Sequence, residues 1–293
     1  MQRTSVLGYA KINLYLDVIS KYENGYHEVN TVMQTVSLYD TVSLEKQYSG
    51  ITVCCDNSDV PCDEKNLAYC AAALFFDRTG IPCGVIVEIE KKIPISAGLA
   101  GGSADAAATL LGLNELYDFP LAENDLIALG ASLGADVPFC MTCGTAFADG
   151  KGDRLHTLPD IMDCYIVVAR AGEGVSTPWA YGELDRLYNN FECYAQNSDL
   201  LKNLLEALDA EDLDNVCKNM KNVFEDAVIR YRPMVQSIKG TLIEGGALGA
   251  MMSGSGTAVF GIFNDKSKAV HCAERLRSEG AFAVLTAPLK KKL

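Results

Sequence analysis

The sequence predicts an α+β protein of two domains, residues 1–158 and 159–293, each a layered sheet with helices on one side. Three observations lead there. A chain of 293 residues is long enough for two ordinary cores. Strand-like and helix-like stretches interleave in both halves. One glycine-rich stretch, Pro94-Ile95-Ser96-Ala97-Gly98-Leu99-Ala100-Gly101-Gly102-Ser103-Ala104, joins a strand to a helix, and the rest of the chain is organised around it.

In residues 11–20, Ile12, Leu14, Leu16 and Val18 alternate with Asn13, Tyr15 and Asp17. That period of two is the pattern of a strand with one buried face. Lys11 and Asn13 stand two apart, so they share the other face. On spacing alone, Lys11 reads as a solvated strand-edge lysine. Asn24-Gly25 signals a hairpin. Tyr26 and His27 follow it and read as a surface pair packed on the turn, with the framing of a flat ligand as the alternative. Residues 29–45 and 51–55 continue as strands. Asp63 lies in a polar turn before a helix over 66–79, which places Leu67, Cys70, Ala71 and Leu74 on one face and ends at Gly80.

Residues 84–92 form a strand in which Val85, Val87 and Ile89 alternate with Ile86, Glu88 and Glu90. The helix after the glycine-rich stretch is expected over 104–117, with Ser103 as its N-cap. A second helix, 123–133, carries Leu126, Leu129 and Leu133 as its stripe and stops at Gly134. In Gly134-Ala135-Asp136-Val137-Pro138-Phe139, Asp136 reads either as an N-cap or as a carboxylate held at a rigid corner. Residues 143–149 and 154–158 pair as a hairpin, and 165–169 is a short apolar strand. Thr177 caps a further helix with Pro178 at its first position. Helices are expected over 200–208, 212–231 and 234–244. Residues 249–263 form two apolar strands broken by Ser253-Gly254-Ser255-Gly256. A helix over 267–279 and a strand over 282–287 close the chain.

Gly98, Gly101 and Gly102 lack a Cβ, so the loop can take unusual φ values and approach a ligand closely. Unpaired N–H groups at the start of the following helix, with its dipole, suit a phosphate chain. The spacing is neither a Walker A loop nor the Rossmann G-x-G-x-x-G pattern.

Composition narrows the partners. The chain is 49% hydrophobic and 22% charged, with 25 basic against 38 acidic residues and a net charge of −13. This argues against nucleic acid or an anionic membrane as partner and leaves room for a phosphorylated small molecule. No apolar run is long enough to span a membrane, and the first residues lack the apolar core of a signal peptide, so a cytoplasmic protein is expected. Eleven irregularly spaced cysteines argue against a disulfide framework. Cys140-Met141-Thr142-Cys143 reads as small buried thiols, with a redox pair as the alternative.

Taken in order, Ala10-Lys11-Ile12-Asn13-Leu14, Asn24-Gly25-Tyr26-His27, the loop from Pro94, Leu133-Gly134-Ala135-Asp136-Val137-Pro138-Phe139 and Ser253-Gly254-Ser255-Gly256 resemble the GHMP small-molecule kinase superfamily. The resemblance spans nearly the whole chain. It implies a two-domain GHMP kinase-like fold with the active site in the interdomain cleft, and ATP and Mg²⁺ as cofactors. It implies that Asp136 is the catalytic base with Lys11 as its partner, and that Pro94, Ile95, Ser96, Ala97, Gly98, Leu99, Ala100, Gly101, Gly102, Ser103 and Ala104 hold the ATP phosphates. Asn13, Tyr26, His27 and Thr177 match positions lining a substrate that carries cytidine diphosphate, and Tyr181 matches an aromatic facing Tyr26 across the cytosine. Ala100 stands where the superfamily often has Gly, and Ala104 where Ser is common. A kinase of the homoserine or mevalonate type is disfavoured by the Tyr26-His27 pair. A catalytically inert nucleotide-binding module is disfavoured because Lys11 and Asp136 are both present.

Overall fold

The computed structural model describes residues 2–82, 84–188 and 198–290. In chain order the elements are β1 (Arg3–Lys21), β2 (His27–Lys46), β3 (Gly50–Cys55), α1 (Leu67–Thr79), β4 (Gly84–Glu90), α2 (Gly101–Leu116), α3 (Glu123–Leu133), α4 (Asp136–Thr142), β5 (Thr145–Asp149) and β6 (Arg154–Thr157). They continue as β7 (Tyr165–Arg170), α5 (Thr177–Leu187), α6 (Ser198–Asp209), α7 (Leu213–Lys218), β8 (Lys221–Asn222), α8 (Glu225–Tyr231), α9 (Met234–Glu244), β9 (Gly249–Met252), β10 (Val259–Phe263), α10 (Lys266–Ser278) and β11 (Phe282–Thr286). The protein is α+β, as its patterning predicts.

The chain forms two compact units, and neither is a single stretch. The first holds Met1–Ala10, Leu38–Ile95 and Ala100–Cys143; the second holds Lys11–Ser37, Ser96–Leu99 and Gly144–Leu293. β1, β2 and the glycine-rich loop each contribute to both.

In the first unit, β3 runs parallel to β4, with Val53 opposite Val87. β4 runs antiparallel to the last part of β2, with Leu44 opposite Val87. The alternation read in residues 84–92 buries Val85, Val87 and Ile89 completely or nearly so, and α1 and α2 add Phe75, Leu110 and Leu113 to the same core. α1 begins and ends as its sequence dictates. Asn66 Oδ1 accepts the Ala68 N–H at 2.8 Å, and Gly80 stops the helix at φ 68°, its N–H donating to the Phe76 carbonyl.

In the second unit, β5 pairs antiparallel with the first part of β2 and with β6, while β8 pairs parallel with β1 at Tyr15 and Leu16. A separate antiparallel sheet has the order β11-β7-β10-β9. Its core joins Val167, Ala169 and Phe263 to Leu184, Val228, Leu242 and Leu276 from the helices.

The expected helix over 212–231 is instead two short helices, α7 and α8, parted by β8. Asn222 explains the break. Its Nδ2 donates to the Met252 and Gly254 carbonyls at 2.7 and 2.8 Å, and its Oδ1 accepts the Phe224 N–H at 3.0 Å. Pairing with β1 and these three bonds outweigh a few tenths of a kcal/mol of helix propensity per residue. Among the described residues, no helix is long and apolar enough to cross a membrane.

Candidate active site

α2 starts earlier than its sequence suggests. Ala100 takes the left-handed conformation (φ 59°, ψ 29°) and turns the chain into the helix at Gly101. Ser103 is therefore the third helical residue and not the N-cap; no side chain caps this end. The first amide to bond back along the helix is that of Ala104, to the Ala100 carbonyl at 2.8 Å. The amides of Gly101, Gly102 and Ser103 have no intrahelical acceptor, as for the start of any helix. Gly102 is exposed, and a Cβ built on it would sit 3.6 Å from Leu67 Cδ1, an ordinary contact. Uncapped amides at the positive end of a sixteen-residue helix are a donor set that fits a phosphate chain.

Residues 96–99 of the same stretch are built into the second unit. Lys11 N donates to the Leu99 carbonyl at 3.1 Å, and Ala258 N to the Ala97 carbonyl at 3.0 Å. Ser253 Oγ donates to the Gly98 carbonyl at 2.9 Å.

Lys11 is not a solvated edge residue. It is 5% exposed, because in the second unit β1 has β2 on one side and β8 on the other. Its Nζ donates to Asn13 Oδ1 at 2.7 Å. The same oxygen accepts the Gly254 N–H at 2.9 Å and, at 3.4 Å, the Ser253 hydroxyl. Asn13 Nδ2 donates to Thr31 Oγ1 at 2.8 Å, and that hydroxyl donates to the Tyr15 carbonyl at 2.7 Å. The amide of Asn13 is thus oriented at both ends, and its oxygen aims the lysine. Strand spacing placed Lys11 and Asn13 on one face; that this face is buried depends on β8, which the sequence pattern concealed.

Asp136 is the first residue of α4, and Ala135 holds the N-cap position without a side-chain bond. The N-cap reading of Asp136 therefore falls. Pro138 lies within the first turn, where its missing N–H costs nothing. Cys140 and Cys143 are thiols and not a disulfide, and the described residues contain no group of three or more His, Cys, Asp or Glu side chains able to hold a metal.

α5 begins one residue earlier than its proline suggests. Ser176 is the N-cap, its Oγ accepting the Trp179 N–H at 3.4 Å. Thr177, expected as the cap, is the first helical residue, and its hydroxyl shares a hydrogen bond with Ser255 Oγ at 3.1 Å. One turn on, Tyr181 lies face to face with His27, ring centroids 4.5 Å apart and planes 20° apart. Phe224 meets Tyr181 edge-on at 4.9 Å. Tyr26 is 61% exposed, with Lys151 Nζ 4.3 Å above its ring. The surface-pair reading of Tyr26-His27 holds for the tyrosine alone, since the His27 side chain is 7% exposed.

Three groups escaped the sequence reading. Asp185, one turn beyond Tyr181, accepts from His27 Nε2 at 2.8 Å and from Lys21 Nζ at 2.5 Å. Partial burial opposes its charge, but the bonds from Lys21 and His27 outweigh burial and hold its carboxyl below the usual range. The i, i+4 spacing of Tyr181 and Asp185 was the available signal. In the first unit, Lys91 Nζ contacts both Asp40 and Asp105, the latter at 2.7 Å, in a buried cluster beside α2. Burial pushes the Asp105 carboxyl up to about 7, with the charge of Asp40 adding to it against Lys91. Asn222, described above, is the third.

The model for the N-terminal domain of GHMP kinases matches residues 66–144, and that for their C-terminal domain matches residues 204–281. A 4-diphosphocytidyl-2-C-methyl-D-erythritol kinase of Clostridium kluyveri is 43% identical over 274 residues, covering 94% of this chain and 96% of that protein. One from Caldicellulosiruptor bescii is 43% identical over 270 residues, covering 92% of each. A crystal structure of 4-(cytidine 5'-diphospho)-2C-methyl-D-erythritol kinase superposes with a TM-score of 0.80 at 35% identity, over 97% of this chain and 99% of that one. Homoserine kinase from Cytophaga hutchinsonii reaches the same TM-score at 19% identity, over 99% of this chain and 96% of that one, and shares the fold.

Proposed function

The chain belongs to the 4-diphosphocytidyl-2-C-methyl-D-erythritol kinases of the GHMP family, and from that membership we propose how its own residues carry out the reaction. The enzyme transfers the γ-phosphoryl group of ATP to the 2-hydroxyl of 4-diphosphocytidyl-2-C-methyl-D-erythritol, a step of the non-mevalonate isoprenoid pathway. The relationship over almost the full length, at 43% identity, carries this reading.

In the proposed mechanism the loop 94–104 receives the ATP phosphates, chiefly through the amides that open α2. Mg²⁺ suits this site as an ion held mainly by the phosphates themselves, since such ions take few protein carboxylates; it would neutralise charge on the transferred group. The substrate hydroxyl oxygen forms the new bond to the γ-phosphorus, and the bond from that phosphorus to the bridging oxygen breaks, releasing ADP. Asp136 accepts the hydroxyl proton. Lys11, aimed by Asn13, stabilises the negative charge growing on the attacking oxygen. Asn13, Tyr26, His27, Thr177 and Tyr181 line the cytidine end, where a flat base can stack on an aromatic ring. The reading goes with a small-molecule partner and a cytoplasmic setting.

A coupled assay comparing the cytidylated methylerythritol with homoserine and mevalonate tests the substrate. Turnover of the first alone is expected; turnover of either aliphatic alcohol at a similar rate would overturn the assignment. Asp136→Asn keeps the shape but cannot take the proton. It should cut kcat by about 10²–10⁴ with substrate binding retained. A near-normal kcat would remove Asp136 from the mechanism.

A further inference from the structure

His27 is held by more than the hairpin it follows. It opens β2, and the hairpin before it is closed by backbone bonds from Tyr22 N to the Tyr26 carbonyl at 2.8 Å and from Gly25 N to the Tyr22 carbonyl at 2.9 Å. Those bonds set the course of the backbone and do not by themselves fix the side-chain torsions of the imidazole. Two contacts do so: the face of Tyr181 at 4.5 Å and the carboxylate of Asp185 at 2.8 Å. Both belong to α5, one helical turn apart. The second oxygen of Asp185 is held by Lys21, the last residue of β1. A single carboxylate therefore ties the end of β1, the start of β2 and α5 together, around the hairpin that presents Tyr26.

From this geometry we infer that Asp185 is a positioning residue for the base of the substrate, an ionic strap, completed by Lys21, that locks His27 flat against Tyr181 as one wall of the cytosine pocket. The inference rests on the reading of Tyr26, His27 and Tyr181 as the base platform. Its physical content is pre-organisation. A histidine not held against Tyr181 must be ordered when the base binds, and that ordering weakens binding without touching the phosphoryl-transfer residues. Asp185 takes no part in holding ATP, so its loss should be felt by one ligand only. The two bonds on the carboxylate are not equal in consequence. His27 is nearly buried and its bond fixes a ring, whereas Lys21 is 40% exposed and its ion pair is screened.

The test uses the whole enzyme with Asp185→Ala, Asp185→Asn and Lys21→Met. Base stacking on aromatics is worth roughly 1–3 kcal/mol, and loss of part of it corresponds to about a tenfold weakening. Asp185→Ala should raise KM for the cytidylated substrate about tenfold, with kcat and the KM for ATP unchanged. Asp185→Asn keeps an acceptor for His27 Nε2 and should recover much of the loss, while Lys21→Met should shift KM only about twofold. A second measurement does not depend on the substrate. In the free protein the ring protons of His27, assigned with His27→Gln, should be displaced by the ring current of Tyr181, and Asp185→Ala should abolish that displacement. Persistence of the ring-current shift in Asp185→Ala overturns the strap whatever the substrate proves to be. Equal losses for ATP and substrate, or a fall in kcat, overturn it as well by showing a general structural role. A wild-type enzyme inactive on the cytidylated substrate would instead bring down the functional reading, with the spectroscopic result still deciding the strap.

Discussion

Gly98 and Gly102 lie four positions apart in one glycine-rich stretch, yet their surroundings are opposite. A Cβ on Gly98 would stand 2.0 Å from the Ser253 carbonyl oxygen, and its φ of +77° is one that side chains disfavour. The turn it meets, Ser253-Gly254-Ser255-Gly256, is buried throughout. The polar groups of that turn are taken by protein: Gly254 N by Asn13, Gly254 O by Asn222, and Ser253 Oγ by the Gly98 carbonyl. Gly102 is exposed and its prospective Cβ meets only Leu67 Cδ1, at 3.6 Å. One glycine lets protein approach protein; the other leaves a helix end open. Two glycine clusters that look alike as motifs thus divide between scaffold and ligand site, and the second cluster in the sequence belongs wholly to the scaffold.

The sharpest way to break this distinction is at Gly98. Gly98→Ala puts a methyl group into a carbonyl and forces a left-handed alanine. Backbone strain and overpacking together should lower the unfolding free energy by roughly 2–5 kcal/mol. Urea denaturation without nucleotide reads the effect. Normal stability with weakened ATP binding would mean that Gly98 also serves the ligand, and the division would collapse.

Gly102→Val should show the reverse. The added side chain enters space that the protein does not fill, so the denaturation midpoint should stay within about 1 kcal/mol of the parent. The phosphates would be pushed from amides whose charge-assisted bonds are worth about 1.5–3 kcal/mol each, so ATP affinity should fall by about 10–100-fold. Calorimetric titration with ATP measures it. Unchanged affinity in a folded variant would mean that the opening of α2 is not where the phosphates sit.

The sequence made the strands with clean alternation legible, because a half-buried sheet demands it: residues 84–90 pair and bury as their pattern requires. α1 was legible from Asn66 to Gly80 because both of its ends are fixed by local chemistry. What failed was decided at a distance. β8 is two residues long, and only β1 and the Met252 and Gly254 carbonyls tell Asn222 to extend. Helix starts slipped by one or more residues at Ser103 and Thr177 because a left-handed Ala100 and the competing cap Ser176 set the true boundaries. Side-chain partners such as Asp185 for His27, 158 positions away, have no local signature. The family motifs placed Lys11 and Asn13 together, and the fold shows that the asparagine oxygen is what orients the lysine.

The smallest expected effect separates the two glycine environments by charge. The scaffold turn is held by bonds among neutral groups, so pH should leave it alone. Beside α2 lies the ion cluster of Lys91, Asp40 and Asp105, with the Cys55 thiol on β3 close enough to feel Lys91 and Asp105. Asp105 follows the phosphate-facing turn, is nearly fully buried, and has one carboxyl oxygen without a hydrogen-bond partner. Its carboxyl, ordinarily titrating at 3.8, is raised to about 7, by burial first and then by Asp40. A carboxyl raised on folding binds its proton more tightly in the native state. Its stabilising contribution is complete below the unfolded value and is lost as pH climbs from about 4 to about 7. Asp105→Asn removes the titration while keeping an acceptor for Lys91. Relative to the parent, the variant should therefore gain stability between pH 5 and pH 8, by on the order of 1 kcal/mol. Urea midpoints of both proteins at the two pH values give the difference directly, with every other titrating group common to both. A difference that stays constant across this range would mean that Lys91 keeps Asp105 ionised throughout. The ligand-facing end of α2 would then be as fixed in charge as the scaffold turn, and the contrast between them would be one of packing alone.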